Sequence, residues 1–281
     1  MNLLKIHGSP LRAFESFPRS IRNELSQKAE EINRQVIALG ARVVSYHCKE
    51  YPFNLRNIYD APGVIYVKGE IPQEIDKAIA IVGTRKCSEE GKRFAQMAVD
   101  QLAKNGFPLV SGMALGIDTA AHKASVLYGL KSVAVLAHGL ERVHPKSNIR
   151  LAQEIIEKGG AWISEHPPGT KVLKWMFAAR NRILVGLCSG TVLAESPESG
   201  GSMISLKLAL EYGRATYAFQ PPNAYMKRWD GNRQVIAENK GFAIKTMSQW
   251  MKKLYKEDSR VRFFIGDVRD KDRLYRALNN I

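Results

Sequence analysis

Three glycine-bearing turns, each behind a β-branched run, carry the residues in this chain best suited to chemistry. They are Gly83-Thr84-Arg85 after AIAIV, Ser111-Gly112-Met113-Ala114-Leu115-Gly116-Ile117-Asp118 after PLV, and Glu195-Ser196-Pro197-Glu198-Ser199-Gly200-Gly201-Ser202 after TVLA. In a parallel sheet the turns that follow strands share one edge. There glycine lets backbone N–H groups approach an anion, and the next helix presents its positive end. One such turn would be only a tight strand-to-helix connection; three on one edge predict a phosphate-binding crevice.

Cations stand where that crevice would use them. Arg85 ends the first turn, and its planar guanidinium matches two phosphate oxygens at once, unless it is simply a solvated loop residue. Lys146 lies in His144-Pro145-Lys146-Ser147-Asn148, where Ser147 or Asn148 can cap the next helix; it is either a second phosphate ligand or part of a plain helix-start loop. From His166 to Ala194 there is no Asp or Glu, but Lys171, Lys174, Arg180 and Arg182 are interleaved with Trp175 and Phe177. Cations for the backbone and rings for the bases make a single-strand nucleic-acid site, and the two arginines are expected on phosphates. Trp175 and Phe177 fit base stacking or the core equally well.

Other chemistries lack their apparatus. There is no Walker A loop, GxGxxG fingerprint, GxSxG elbow or HExxH pair. Cys48, Cys87 and Cys188 have neither zinc nor disulfide spacing. The six histidines have no metal-like spacing; His122, in an alanine-rich helical run, is expected to pack or hydrogen-bond rather than ligate. The expectation is a binding protein and not an enzyme, with no catalytic residue, no metal and no cofactor.

The elements that must position these residues alternate between Ala78 and Thr246. Strands AIAIVG, FPLVSG, SVAVLA, AWISE, TVLAES and ATYAFQ are separated by helical patterns at Ser88 to Asn105, Ile117 to Tyr128, Asn148 to Lys158, Phe177 to Leu187 and Ser202 to Tyr212. Near-continuous apolar strands with helical crossovers predict an α/β fold, a mainly parallel sheet with helices on both faces. Upstream, Ser20 to Leu39 reads as an amphipathic helix through Ile21, Leu25, Ile32 and Val36, and ARVVSY as a strand. Tyr51 to Pro72, punctuated by proline, is expected to lie along the core as a bridge. Ser248 to Tyr255 reads as helix, and VRFFIGDVRDKDRLYRAL as a further βα unit. The expected organisation is a short extension over 1–70, a binding domain over 71–250 and a βα extension over 251–281.

Charge supports a polyanionic partner. The 281 residues hold 42 Lys and Arg against 27 Asp and Glu, a net charge of +15. The three segments contribute +3, +8 and +4, so most of the excess sits on the central domain and not on a tail. No run approaches the roughly 20 apolar residues of a membrane helix, and the first residues carry no secretion signal, so no membrane association and a cytoplasmic location are expected.

Taken in order, IVGTRKCSEEG, LVSGMALGIDTAAHKAS, AVLAHGLERVHPKSN, ISEHPPGT, FAARNRI, VGLCSGTVLAESPESGGSMIS and ALEYGR resemble the DprA/Smf family of bacterial DNA-processing proteins, over roughly Tyr51 to Phe242. The resemblance implies an extended Rossmann-like fold that binds single-stranded DNA without hydrolysing it, forms homodimers, and loads the RecA recombinase onto incoming DNA in natural transformation. It places the DNA pocket on Arg85, Ser111, Gly112, Lys146, Asn148, Phe177, Arg180 and Arg182, closed by Gly200, Gly201 and Ser202. HPKSN stands where the family often has YPK, and FAARNRI where it often has FPxRNRI; both keep their cations. The region before Tyr51 is short, and no winged helix is recognisable. The last segment looks instead like a piece of a nucleotide-sugar dehydratase, without the upstream fingerprint that would bind NAD.

Two other readings use the same fold. A LOG-type phosphoribohydrolase would need a glutamate where the third turn carries Lys207, a charge reversal that removes the group opposing a developing cationic sugar. A nucleotide-sensing relative would use the crevice for a small ligand.

Overall fold

The computed structural model describes residues 14–221 and 226–256. A helix α1 (Arg19–Ala38) leads into strand β1 (Ala41–Ser45), a single turn α2 (Phe53–Arg56) and strand β2 (Val64–Gly69). The alternating core follows: β3 (Ile79–Val82), α3 (Glu89–Asn105), β4 (Leu109–Ser111), α4 (Ile117–Leu127), β5 (Ser132–Val135), α5 (Ile149–Glu157) and β6 (Ala161–Ser164). Two short helices, α6 (Lys174–Ala179) and α7 (Asn181–Gly186), precede β7 (Gly190–Leu193), α8 (Gly201–Glu211), β8 (Ala215–Phe219), α9 (Asp230–Ala237) and β9 (Phe242–Ile244). Residues 247–256 form α10.

These strands make one nine-stranded sheet in the order β1-β2-β6-β5-β4-β3-β7-β8-β9. From β6 to β9 every pairing is parallel, and β3, β5, β6 and β7 are buried along their whole length, as their apolar runs require. One face packs Val99 and Leu102 of α3 and Ala121 of α4 against Ile81, Leu109 and Tyr217, with Trp250 of α10 beside them. The opposite face packs Leu184 of α7 and Leu206 of α8 against Val82, Val110 and Val135. This is the α/β, Rossmann-like architecture, with helices on both faces.

Local chemistry sets the helix ends. Ser88 caps α3, its hydroxyl accepting from the Gly91 N–H at 3.1 Å, while Glu89 and Glu90 meet the positive end and Lys104 the negative one. Gly106, at φ +70°, closes the helix in the left-handed conformation that glycine adopts without strain.

Three differences from the sequence reading stand out. The expected bridge contains β2, which pairs antiparallel with both β1 and β6. Its VIYVKG run outweighs the prolines on either side, and the sheet therefore crosses the boundary expected at residue 70. The single helix expected at Phe177 to Leu187 is two helices meeting at Arg180. The amphipathic face of α1 is used only at its end: Val36 is buried and Ile32 packs beside it, but Ile21 and Leu25 are exposed. The βα unit expected in the last segment lies outside the described residues.

Candidate nucleic-acid interface

Strand β3 and its crossovers progress towards β6, whereas β7 and its crossovers progress towards β9. The sheet therefore reverses direction between β3 and β7, and a crevice opens beyond their carboxyl ends. A cleft of about 510 Å³ lies there, walled by Gly83 to Lys86, by Lys174, Phe177 and Ala178 of α6, and by Gly200 to Ser202 at the start of α8. It continues past Arg85, Ala114 and Phe177 into a smaller pocket of about 50 Å³ lined by Gly112, Leu115, His144 and Pro145.

Buried polar groups stitch the turns at this edge together. The Thr84 N–H donates to the Glu195 carbonyl at 2.8 Å, and the Ile117 N–H to the Thr84 carbonyl at 3.3 Å. The Glu195 carboxylate is fully buried and accepts from the Ser88 N–H and, at 2.6 Å, from its hydroxyl. Asn232 of α9, also fully buried, accepts from the Ser196 N–H at 2.9 Å and donates to the Leu193, Ala194 and Phe219 carbonyls. Every bond of this kind removes a freedom the turns would otherwise have, so the cleft is built before any ligand arrives.

Arg85 and Lys86 are exposed on the wall. The Arg85 guanidinium lies 5.8 Å from the centroid of Phe177, which is half-buried and edge-on to His144 at 5.4 Å. Lys174 is exposed on the facing wall. Gly201 and Ser202 open α8, whose cap residue Gly200 offers no side chain to the first N–H groups, and a Cβ on Gly201 would meet nothing within 4 Å. The Ser202 hydroxyl donates to that of Ser196 at 2.8 Å. A row of cations, a ring and open amides thus face one concave surface.

Other expected residues sit elsewhere, and the roles change accordingly. Arg180 is buried; its Nη1 donates to the Gly112 carbonyl at 2.6 Å and to the Val135 carbonyl, and its Nε has no partner among the described residues. It forms the cleft floor rather than a solvated clamp. Burial pushes its pKa down, against the pull of Asp118. Asp118, buried beside it, has its carboxyl pushed up by burial, against the opposing pull of Arg180 and of the Ala114 and Gly112 amides. Arg182 points away from the cleft, donating to the Glu165 carboxylate and, at 2.7 Å, to the Asp60 carbonyl. Two residues past Arg180, α7 turns the Arg182 side chain onto the 51–63 segment instead.

Ser111 and Asn148 are buried and act on backbone. The Ser111 hydroxyl donates to the Ile81 carbonyl at 2.8 Å, and Asn148 Nδ2 donates to the Met113 carbonyl at 3.0 Å and the Thr119 hydroxyl at 2.8 Å. They hold neighbouring turns in place rather than lining the cleft. Gly83 and Gly112 also serve the protein: a Cβ on Gly83 would run into Ile117 and the Glu195 carbonyl, and one on Gly112 into the Arg180 guanidinium. Lys146 and Lys171 are exposed but outside the cleft lining, Lys146 one residue beyond the second pocket. His122 is fully buried, 3.4 Å from the Ser132 hydroxyl, and burial holds its pKa down at about 4. Lys207 is exposed and pairs with Glu211, away from the cleft.

Thr84, Lys86, Asp118 and Asn181 line the cleft and escaped the sequence reading as site residues. Lys86 could have been found, since it continues the first turn next to Arg85. Asp118 could not, because nothing in the sequence places it against Arg180. Among the described residues no cluster could hold a metal ion, and no helix is long and apolar enough to cross a membrane.

Comparison with known proteins gives a consistent result. The family described as DNA recombination-mediator protein A matches residues 42–255. The DNA processing protein DprA of Streptococcus pneumoniae is 42% identical over 67% of this chain and 66% of its own length, and that of Bacillus subtilis 36% identical over 71% and 68%. Protein Smf of Escherichia coli is 37% identical over 74% of this chain but only 54% of its own length. The chain thus spans about two thirds of the first two relatives and about half of the third. The X-ray structure of the S. pneumoniae DprA superposes with a TM-score of 0.69 at 30% identity, covering 90% of this chain and 86% of that one. A Helicobacter pylori DNA processing protein A, described for its single-stranded DNA binding mode, superposes at 0.67 and 24% identity, covering 76% of this chain and 99% of its own, a likeness of fold.

Proposed function

This chain belongs to the DNA recombination-mediator protein A family, and on that premise we propose that it binds single-stranded DNA in the cleft at the β3–β7 switch point and presents the strand to the RecA recombinase. The observation that carries the reading is the cleft itself. Arg85, Lys86 and Lys174 stand exposed around it, α8 opens towards it with uncapped amides, and the one acid among the described residues of its lining, Asp118, is buried beside Arg180. A strand of phosphates meets donors on both walls there, and Phe177 under Arg85 offers a face to a base.

The division of labour follows from exposure. Arg85, Lys86, Lys174 and the Gly201 and Ser202 amides contact the strand, and Lys146 and Lys171 attract it at longer range. Arg180 supplies the floor, where its remaining N–H reaches a ligand. Ser111, Gly112 and Asn148 keep the turns in register, and Arg182 anchors α7. The protein acts in the cytoplasm as a homodimer, with no covalent step and no cofactor.

Fluorescence anisotropy with labelled oligo(dT) tests this. Binding is expected at low salt, weakening as salt is added because each neutralised phosphate releases counterions. The combined Arg85→Ala, Lys146→Ala, Lys174→Ala variant, which leaves the buried network intact, should lose most of the affinity. Equal binding by variant and parent would remove the reading, as would no binding by the parent. The RecA step is tested by adding recombinase to DNA coated with single-strand-binding protein: this chain should speed filament growth, and the triple variant should not.

A further inference from the structure

We infer that Trp175 forms a second nucleobase subsite, outside the cleft on the outer face of α6, which stacks a base of the strand as it leaves the cleft. The inference rests on the single-strand reading above and adds a place where the strand goes next. Of the four tryptophans, Trp162, Trp229 and Trp250 are buried, whereas Trp175 is 61% exposed. A ring of that size ordinarily contributes to folding by being covered, so leaving it in water forgoes its main stabilising effect.

Helix geometry says which way it faces. Lys174, Phe177 and Ala178, spaced i, i+3 and i+4, line the cleft, and Met176 and Arg180 are buried beneath. At about 100° per residue, Trp175 falls on neither side and stands on the outside of the cleft wall. Leu173 nearby is also exposed, the exposed Lys171 and Lys174 both precede Trp175 in the chain, and from His166 to Ala194 there is no carboxylate. An exposed ring next in the chain to Lys174, which lines the cleft, suits a base whose phosphate that lysine holds. It suits an apolar protein surface less well, because a single exposed indole with Leu173 nearby offers little area to bury. The occupant is therefore a nucleotide of the strand already held by Lys174 and Phe177, whose wall Trp175 shares.

The experiment titrates the full-length chain with an oligo(dT) series lengthened one nucleotide at a time, following tryptophan fluorescence and anisotropy. Short strands that fill only the cleft should bind without quenching. Longer ones should quench, and Trp175→Phe should abolish the quench while keeping most of the affinity. Trp175→Ser should bind the long strands about 5- to 150-fold more weakly, the loss of one stacked base, with an unchanged salt slope and an unchanged unfolding midpoint. Long-strand affinity unaffected by Trp175→Ser would overturn the proposal, as would the same loss at every length. So would a fall in molecular mass on substitution, which would assign the ring to a second copy of the chain. Failure of the parent to bind any oligonucleotide would instead overturn the reading beneath it.

Discussion

Arg85 and Arg180 lie on the same cleft, and the fold uses them in opposite ways. Arg85 is exposed on the wall with a phenyl ring beneath it and, among the described residues, no carboxylate paired with it. Arg180 is buried, bonded to two backbone carbonyls and set beside a buried aspartate. An exposed guanidinium without an acid contributes little to folding but is free to take a phosphate. A buried one is held in place by the fold and would leave its partners unsatisfied if removed. The comparison teaches that a binding rim needs both kinds: mobile charge to meet the ligand and a rigid floor that keeps the glycine turns from collapsing inward.

The largest expected effect is therefore on stability and belongs to the floor. Arg180→Ala strands the Asp118 carboxylate and opens the carbonyls of Gly112 and Val135, and should cost about 3 to 5 kcal/mol in urea unfolding. If the variant unfolded like the parent and lost only DNA affinity, Arg180 would belong with the rim. Next comes acid. His122 is buried in its neutral form with a pKa of about 4, against 6.5 when free, so the unfolded chain binds the extra proton between those values. Stability should be unaffected above pH 6.5 and decline by about 3 kcal/mol as pH falls to about 4, a loss that His122→Asn should not show. An unchanged slope in that variant would locate the acid sensitivity elsewhere.

The rim should respond in the other assay. Arg85→Ala should weaken oligo(dT) binding about tenfold and shallow its salt dependence by about one counterion, with the unfolding midpoint unchanged. The smallest effect is expected at Lys171, exposed but outside the cleft lining, where Lys171→Ala should change affinity about twofold. A loss at Lys171 as large as that at Arg85 would move the strand's path out of the cleft.

Much of this was legible beforehand, for identifiable reasons. The strands β3 to β8 are short apolar runs between helical patterns, and such runs can bury both faces only in a parallel sheet. Putting the turns after them on one edge then follows from parallelism alone, and Arg85 and the Gly200-Gly201-Ser202 turn do line one cleft, whereas Lys174 and Phe177 are legible only through the acid-free run of cations and rings and through the resemblance. The β2 strand is hidden because the prolines on either side of VIYVKG suggest a bridge along the core, and the sheet edge that admits such a strand depends on β6, far away in the chain. The joint between α6 and α7 has no proline or glycine to announce it.

By itself, then, the sequence determined the layering, the shared edge of the turns and the sign of the charge, because periodicity and composition act locally and survive in any arrangement that buries the apolar runs. Which cations reach solvent was decided only by the tertiary structure. Arg180 and Arg182 are two residues apart in the same acid-free stretch as Lys174, yet one is packed against Gly112 and Asp118 and the other is drawn to Glu165 and Asp60. Those partners come from other strands and turns, and a guanidinium's surroundings are fixed by whatever the fold brings beside it.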